Sequence, residues 1–461
     1  MSTSEAGSVA SSAEAAAEAG RAARKKASRS SLGVWKPAAD RVDPISVLER
    51  QAETRVPELV KIRYARMAAG QFPFFRGAPA IMAGDLARGE HTGLHVQLCG
   101  DAHLSNFGLF ASPERSLVFD VNDFDETLPG PFEWDVKRLV ASVAVAGRAN
   151  GFADAEAGGA AMAAAQAYRE TMARLAGLGE TDVWYEMVDA EQVSELLKPK
   201  DRKLTDKVIN KARSRTSLQA LDKLTEPGPD GMPRIKADPP LVLPIPKELH
   251  AQLDSVLADY RATLPEDRRV LLDRYELRDI AMKVVGVGSV GTRCFIALLT
   301  GRNTGDPLFL QVKQAENSVL TPHLSASQFH HQGHRVVHGQ RLTQSASDVF
   351  LGWATGPDGL FYYWRQLRDM KGSLAIDEMS APQLRQYATL CGHTLARGHA
   401  RSGDRVAIAA YLGGSDVFDK AMGEFALAYA DQTAVDHEAL LAAIDSGRLV
   451  AAEGTTENGN Q

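Results

Sequence analysis

The sequence predicts an α+β protein of two lobes, one mainly helical and one built on an antiparallel sheet. Apolar and alanine-rich helical patterns dominate residues 135–176. Three segments rich in strand-forming residues follow one another at 280–285, 293–300 and 308–312. Between these parts, residues 198–246 turn basic and then rich in Pro and Gly, which is typical of a surface connection between lobes.

The composition is that of a globular chain without a strong overall charge. Of its 461 residues, 44% are hydrophobic and 24% are charged, which suits a protein with a large buried core. The formal net charge of −6 creates no field that attracts nucleic acid or anionic lipid. We therefore expect neither a nucleic-acid partner nor a membrane partner.

Cysteine usage and hydropathy favour a cytoplasmic location. Cys99, Cys294 and Cys391 are far apart and lie among apolar residues, as buried free thiols of a reducing compartment do. The N-terminus lacks the apolar core of a signal peptide, and no segment approaches the ~20 apolar residues that cross a bilayer.

Changes in composition divide the chain into five segments. They are a disordered or weakly helical tail at 1–40, a helical lobe with the candidate chemistry at 41–240, a glycine-rich β lobe at 241–375, C-terminal helices at 376–453, and a loose polar tail at 454–461.

The most informative stretch is the loop at 100–108, together with the apolar strand at 117–121 that follows it. Its polar candidates are Asp101, His103, Asn106, Asp123 and Asp125. In metal-assisted phosphoryl transfer, one carboxylate orients the attacking hydroxyl, while an amide oxygen and a second carboxylate hold Mg²⁺. The same residue types also simply hydrogen-bond tight loops, so a structural role is the alternative.

The run Gly100-Asp-Ala-His-Leu-Ser-Asn106 resembles the Gly-Asp-x-His-x-x-Asn catalytic loop of the aminoglycoside-phosphotransferase branch of the protein-kinase-like superfamily. In that branch an acidic motif ends the next strand and a further Asp opens a helix. Here Asn122-Asp-Phe-Asp-Glu126 and Asp135 occupy those places.

This resemblance implies a role for each matching residue. Asp101 would be the catalytic base, Asn106 and Asp123 the Mg²⁺ ligands, and Asp135 a structural acid that braces the site, with His103 and Asp125 in support. Asp120 competes with Asp123 as the second ligand, although a strand-end residue facing solvent is the favoured interpretation of Asp120.

A glycine-rich segment, Gly286-Val-Gly-Ser-Val-Gly291, matches Gly-x-Gly-x-x-Gly. Strand-forming residues follow it, whereas a dinucleotide site requires a helix there, so the pattern favours a hairpin folded over phosphates. The expected phosphate-binding residues are Gly286, Gly288, Ser289, Gly291 and Lys313. Lys313 ends the next strand, where a solvated surface lysine is the alternative, and no glutamate partner for it appears at 325–344.

In protein kinases the glycine loop precedes the catalytic loop, whereas here it follows. A circular permutation explains this order, and it requires the helix that precedes the catalytic loop to lie near the C-terminus. Leu395-Ala-Arg-Gly-His-Ala400 is similar to the end of that helix, and residues 361–368 would form the strand and hinge that cradle adenine. The resemblance therefore implies a circularly permuted, two-lobed protein-kinase-like fold.

Arg76, in a Phe-rich turn at 72–77, would either clamp a phosphate or an acidic substrate, or brace Asp85 or Asp101. Over its whole length, the chain is similar to a bacterial family of unknown function, DUF2252, in motifs such as Phe72-Pro-Phe-Phe-Arg-Gly77 and Arg365-Gln-Leu-Arg-Asp-Met-Lys-Gly372.

The expected activity is transfer of the γ-phosphoryl group of ATP, with Mg²⁺, to a hydroxyl of an unknown small-molecule or protein acceptor. Three alternatives remain open at this point: transfer of AMP, a nucleotide-binding scaffold without catalysis, and metal-dependent hydrolysis by the Asp-His-Asn loop alone.

Overall fold

The computed structural model describes residues 3–191, 199–246, 252–284, 286–288, 290–303, 305–367 and 370–452. Its helices are α1 Thr3–Ala23, α2 Pro44–Ala52, α3 Pro57–Ala68, α4 Gln71–Gly77, α5 Pro79–Leu86, α6 Phe132–Ala149, α7 Asp154–Ala176, α8 Glu180–Tyr185, α9 Pro199–Ser214, α10 Ser217–Leu224, α11 Leu253–Ala262, α12 Glu266–Leu272, α13 Gln332–Thr343, α14 Ala381–Ala400, α15 Arg405–Leu412 and α16 Val417–Asp445.

Its strands are β1 His95–Leu98, β2 Phe107–Ala111, β3 Leu117–Val121, β4 Leu128–Pro131, β5 Thr225–Pro227, β6 Pro233–Ile235, β7 Val242–Pro244, β8 Glu276–Lys283, β9 Cys294–Thr300, β10 Pro307–Gln314, β11 Gly352–Thr355 and β12 Phe361–Gln366. The fold is mixed α+β with antiparallel sheets, which confirms the predicted class at that level. Across these ranges, none of the helices combines the length and the apolar character that a membrane span requires.

The largest sheet has six strands in the order β11-β12-β10-β9-β8-β7, and every neighbouring pair is antiparallel. Side chains alternate between its two faces. On β10, Leu308, Leu310 and Val312 join the apolar cluster that contains Tyr260 of α11. Phe309 packs on the opposite face against α10, and Lys313 projects from that same face because it lies four residues further along.

The helical part surrounds α6, which is buried along almost its whole length. Acidic residues in its first turn, Glu133 and Asp135, favour the helix start electrostatically. Helices α7, α14 and α16 pack around it. Small residues permit this close packing: a Cβ at Gly392 of α14 would lie 2.1 Å from the carbonyl oxygen of Ala164 in α7.

The segment at 1–40 differs from the predicted disordered or weakly helical tail. Helix α1 packs against α15, and Ala27 and Leu32 are buried. Arg24 and Arg29 donate to backbone carbonyls of Tyr411 and Leu412, each over 2.8 Å. This segment therefore packs with few large apolar side chains. Its arginines cap the carbonyl groups at the end of α15, and its small residues allow the two helices to approach closely. The tail predicted at 454–461 lies outside the described residues.

Candidate functional site

A cleft of about 810 Å³ lies between the helical part and one end of the strands of the six-stranded sheet, at the β8–β9 connection, the end of β10 and the β11–β12 turn. Its lining includes most of the site residues expected from the sequence: Arg76, Asp101, His103, Asn106, Asp123, Asp125, Gly286 and Gly288. Ser289 lies outside the described residues. Lys313, Asp135 and Gly291 are not among the lining residues. Lys313 contacts two residues that are, Asp123 and Asp125.

The loop after β1 is fixed by its own backbone. Gly100 has φ +84, and a Cβ there would lie 2.2 Å from the carbonyl oxygen of Glu126, so only glycine fits. Asn106 donates through Nδ2 to the carbonyl of Asp101 over 2.7 Å, and the backbone N–H of His103 donates to the same oxygen over 2.8 Å. These bonds orient the Asn106 amide and hold Asp101 at the start of the loop.

Arg138 of α6 holds the Asp101 carboxylate, a contact the sequence reading missed. Its Nε donates to Asp101 Oδ1 over 2.8 Å, and its Nη2 donates to the carbonyl of Phe75 over 2.7 Å. The guanidinium also stacks 3.8 Å from the Phe75 ring centroid. Arg138 lies three residues after Asp135, which is one helical turn along the same face. This spacing is the sequence feature that indicates a position of Arg138 near the Asp101 loop.

Burial dominates the electrostatics of the loop. It raises the pKa of Asp101 to about 6, even though Arg138 lowers it, and the charge of Asp123 adds to the increase. Burial also lowers the pKa of His103 well below its ordinary value, with the charges of Arg76 and Arg138 adding to the effect. Asp101 therefore titrates close to neutrality while His103 stays uncharged.

Asp135 supports the loop from below. Its carboxylate accepts hydrogen bonds from the backbone N–H groups of Cys99 (2.8 Å) and Gly100 (3.0 Å). His399, at the end of α14, lies 3.2 Å from the same carboxylate through Nε2 and 2.8 Å from the Tyr168 hydroxyl through Nδ1. The C-terminal end of α14 thus lies directly beneath the Asp101 loop.

Lys313 meets acids from the other half of the chain. Its Nζ lies 2.5 Å from Asp125 Oδ2 and 3.5 Å from Asp123 Oδ2. The Tyr363 hydroxyl donates to the other oxygen of Asp125 over 2.6 Å. Burial opposes the charge of Lys313, but the two carboxylates hold its pKa above the ordinary value. The acidic partner of Lys313 is therefore Asp125, and not a glutamate at 325–344.

Helix α13 lies in the region where a kinase-like protein would carry the glutamate partner of the lysine, but its buried charged residue is Arg335. Arg335 donates to the backbone carbonyls of Thr127 (2.7 Å), Asp125 (2.9 Å) and Glu316 (2.8 Å). It therefore ties the acidic segment after β3 to the segment after β10 without contacting Lys313.

Asp123 and Asn106 suit a hard divalent cation. Asp123 is half-buried; burial would raise its pKa, but Lys313 and Arg365 hold that pKa below the ordinary value, so the carboxylate is ionised. Because Asn106 donates through Nδ2, its remaining ligand atom is the amide oxygen. An oxygen pair of this kind fits Mg²⁺ that also keeps waters and phosphate ligands. Among the described residues, no group of three His, Cys, Asp or Glu forms a closed metal cage.

Asp120 is not the solvent-facing strand end that the sequence favoured, nor does it line the cleft. It is fully buried, and both its oxygens lie 2.6 Å from Arg397 Nη2. Ser345 donates to it through its backbone N–H (2.8 Å) and its hydroxyl (2.9 Å). Asp120 therefore joins β3 to α14 as a buried ion pair.

This pair predicts a large loss of stability in Asp120→Ala. Removing one partner leaves the Arg397 charge buried and uncompensated, which costs about 3–5 kcal/mol. Urea unfolding measures the difference. As a matched control, Asp154→Ala removes a partner of Arg148 at an exposed site, where the expected loss is about 0–1 kcal/mol. Equal losses in the two variants would contradict the assignment.

The glycine-rich segment is held by Arg66 of α3 and by Arg55, which lies in the connection between α2 and α3. Gly286 and Gly291 have φ values of +67 and +96, a region that favours glycine. Arg66 donates to the carbonyl of Gly286. Arg55 donates to the carbonyls of Gly288 (2.9 Å) and Val290. Helices α2 to α4 therefore lie against this segment and close one side of the cleft.

The end of β12 does not offer the adenine cradle expected at 361–368. Of the described residues in this range, only Phe361 lines the cleft. The backbone N–H of Leu367 donates to the carbonyl of Phe309 over 2.8 Å. Arg365 donates to Gln311 (2.9 Å) and to the carbonyl of Asn122 (2.8 Å). Arg365 and Gln366 instead line a separate, smaller cavity of about 110 Å³, so the end of β12 does not contribute to the cleft.

Arg76 lines the cleft beside Asp101, and its charge lowers the pKa of that carboxyl. It does not brace Asp85, which forms an ion pair with Arg41 at 2.7 Å and accepts a bond from the Tyr429 hydroxyl. The predicted turn at 72–77 is helix α4, because Pro73 falls in the first turn, where its missing N–H is tolerated.

Comparison with known proteins gives a family and no activity. The model of the family described as "Uncharacterized protein conserved in bacteria (DUF2252)" matches residues 55–443. The match covers more than half of the chain, so the protein belongs to this family, as the sequence motifs predicted. No curated protein matches the chain, and no solved structure matches it.

Proposed function

We propose that this member of the DUF2252 family is a kinase-like transferase that binds ATP with Mg²⁺ in the cleft and transfers the γ-phosphoryl group to a hydroxyl of an acceptor. The proposal rests on one observation: Lys313, about where the glycine hairpin predicts a phosphate-binding lysine, lies 3.5 Å from Asp123 although 190 residues separate them. Phosphoryl-transfer sites need a lysine, a metal-binding acid and a base in one place.

Each residue then has a task that follows from its geometry. Asp123 and the amide oxygen of Asn106 would hold the metal ion, which neutralises phosphate charge when bound. Asp101 accepts the proton of the acceptor hydroxyl as the acceptor oxygen bonds to the γ-phosphorus. The bond from that phosphorus to the bridging oxygen breaks, and ADP leaves with the bond's electron pair.

A permuted protein-kinase-like order supports the same proposal. The glycine segment joins β8 to β9, and β10 follows with Lys313, as hairpin and lysine strand do in kinases. The helix similar to the one that precedes a phosphotransferase catalytic loop is α14, whose His399 contacts Asp135 below the Asp101 loop.

ATP binding is the first test. Ligand at a hundred times its Kd stabilises a protein by about 2.7 kcal/mol, so ATP with Mg²⁺ should raise the unfolding midpoint by several degrees. With Mg²⁺ chelated, the shift should shrink, because Asp123 and the triphosphate would then repel each other. An unchanged midpoint at millimolar ATP and Mg²⁺ would contradict every nucleotide-dependent function of this cleft.

Transfer of AMP is a second candidate, and the absence of residues 362–367 from the lining of the cleft favours it. A base excluded from that end would lie towards the open edge at 358–361, which lines the cleft. A nucleotide in this reversed orientation would present its α-phosphate for transfer. ATP labelled at the α- or the γ-phosphate distinguishes the two reactions by which label reaches the product.

A further inference from the structure

Two arginines line the cleft without a carboxylate partner. Arg63 of α3 is fully buried; its Nη2 donates to Gln51 Oε1 (2.9 Å) and the carbonyl of Gly77 (2.8 Å), whereas its Nε and Nη1 have no hydrogen-bond partner. Arg55 uses Nη1 for two glycine-segment carbonyls, and its Nε is likewise buried without a partner. Neither guanidinium has a carboxylate within 4.0 Å among the described residues.

Such an arrangement is unfavourable without an anion. An isolated buried charge costs several kcal/mol unless a counter-charge compensates it. Here burial lowers the pKa of Arg63 well below its ordinary value, and the charge of Arg55 lowers it further. Acids act on Arg55 only from a distance: the charges of Glu316 and Glu126 raise its pKa, but burial outweighs them and lowers it, and neither carboxylate forms an ion pair with the guanidinium. An anionic ligand group would supply the missing charge.

The position of this pair points to the acceptor. Asp125 and Asp123 already neutralise Lys313, the expected partner of the nucleotide phosphates. Arg55 and Arg63 lie on the side closed by α2 to α4, and Arg76, also lining the cleft, acts electrostatically on Asp101. Arg63 donates to the carbonyl of Gly77, and Arg138, which holds Asp101, donates to the carbonyl of Phe75, so α4 connects the arginine pair to the side of the proposed base.

We propose that the acceptor carries an oxyanion, a phosphate or a carboxylate, which Arg63 and Arg55 bind while its hydroxyl faces Asp101. Assignment of the bound anion to an acceptor rests on the proposed function, whereas the anion site itself does not. Guanidinium groups match the geometry of both oxyanions through paired N–H donors. Polycationic acceptors are correspondingly disfavoured at this wall.

Inorganic phosphate is the probe, titrated by calorimetry into the full chain that is already saturated with Mg²⁺ and a non-hydrolysable ATP analogue. We expect phosphate to bind the loaded protein, and Arg63→Met to weaken that binding about tenfold or more, as loss of a charge-assisted bond does. Affinity for the analogue should not change. Acetate in place of phosphate identifies the class: tighter phosphate indicates a phosphorylated acceptor, tighter acetate a carboxylate, and either supports the proposal.

Two variants keep the test decisive. Arg50→Met, on the exposed surface of α2, is the matched control and should leave phosphate affinity unchanged. Arg63→Lys keeps a charge if the methionine variant does not fold, and a point charge should still bind phosphate more weakly than the guanidinium. If neither phosphate nor acetate binds the loaded wild type, or if the anion that binds competes with the analogue, the acceptor site is overturned. Failure of the analogue to bind overturns the proposed function instead.

Discussion

Asp123→Asn is expected to abolish Mg²⁺-dependent turnover of ATP in a chain that still folds. The amide removes the negative charge that faces the metal, and loss of one strong electrostatic contact at a reacting phosphate costs about 10³-fold in rate. Lys313 keeps Asp125 as its closer partner at 2.5 Å, so the connection between the sheet and the helical part survives. Steady-state turnover over a range of Mg²⁺ concentrations measures the effect.

The control for this variant is Asp377→Asn, which makes the same change at an exposed position. It should keep wild-type turnover, and circular dichroism should give the same spectrum for all three proteins. Full activity in Asp123→Asn would mean that the metal is not held at the end of β3. Excess Mg²⁺ that restores the rate would instead strengthen the assignment of a ligand.

Asp101→Asn is expected to lower kcat by about 10²–10⁴-fold, the usual contribution of a positioned general base. Because burial raises the pKa of Asp101 to about 6, the carboxyl is protonated and inactive as a base below that pH. The wild-type rate should therefore rise with pH and level off above about 6. The residual rate of the variant should lack this rise.

The pH profile separates a base from a residue that only shapes the loop. Asp101 also accepts a bond from Arg138, so a purely structural role predicts lower activity with an unchanged profile. A rise near pH 6 that persists in Asp101→Asn would assign the titration to another group and remove Asp101 as the base.

Some elements and site residues could be predicted from the local sequence alone. The strand at 117–121 has the predicted bounds because its apolar residues define it locally, and helix α14 ends at Ala400 as expected from the run Leu395–Ala400. Motif spacing likewise singled out Asp101, Asn106 and Asp123, which the fold brings into one cleft.

Contacts between distant segments were not predictable in this way. Asp125 as the partner of Lys313, Arg138 beside Asp101, and Arg397 on Asp120 each join residues whose separation in sequence carries no periodic signal. Helix α10 packs against Phe309 of β10, although it lies in a stretch whose composition resembled a connection. Packing decided these features, and single-sequence patterns do not record packing partners.

The distance along the chain between Lys313 and Asp123 also affects biosynthesis. A ribosome that has made the Asp101 loop must still add the lysine strand and then α14, whose His399 supports Asp135. Contacts between such remote residues form late, because loop closure must precede them. Prematurely terminated chains that end before residue 313 would therefore carry the acidic half of the site without its cation, so they should not turn over nucleotide.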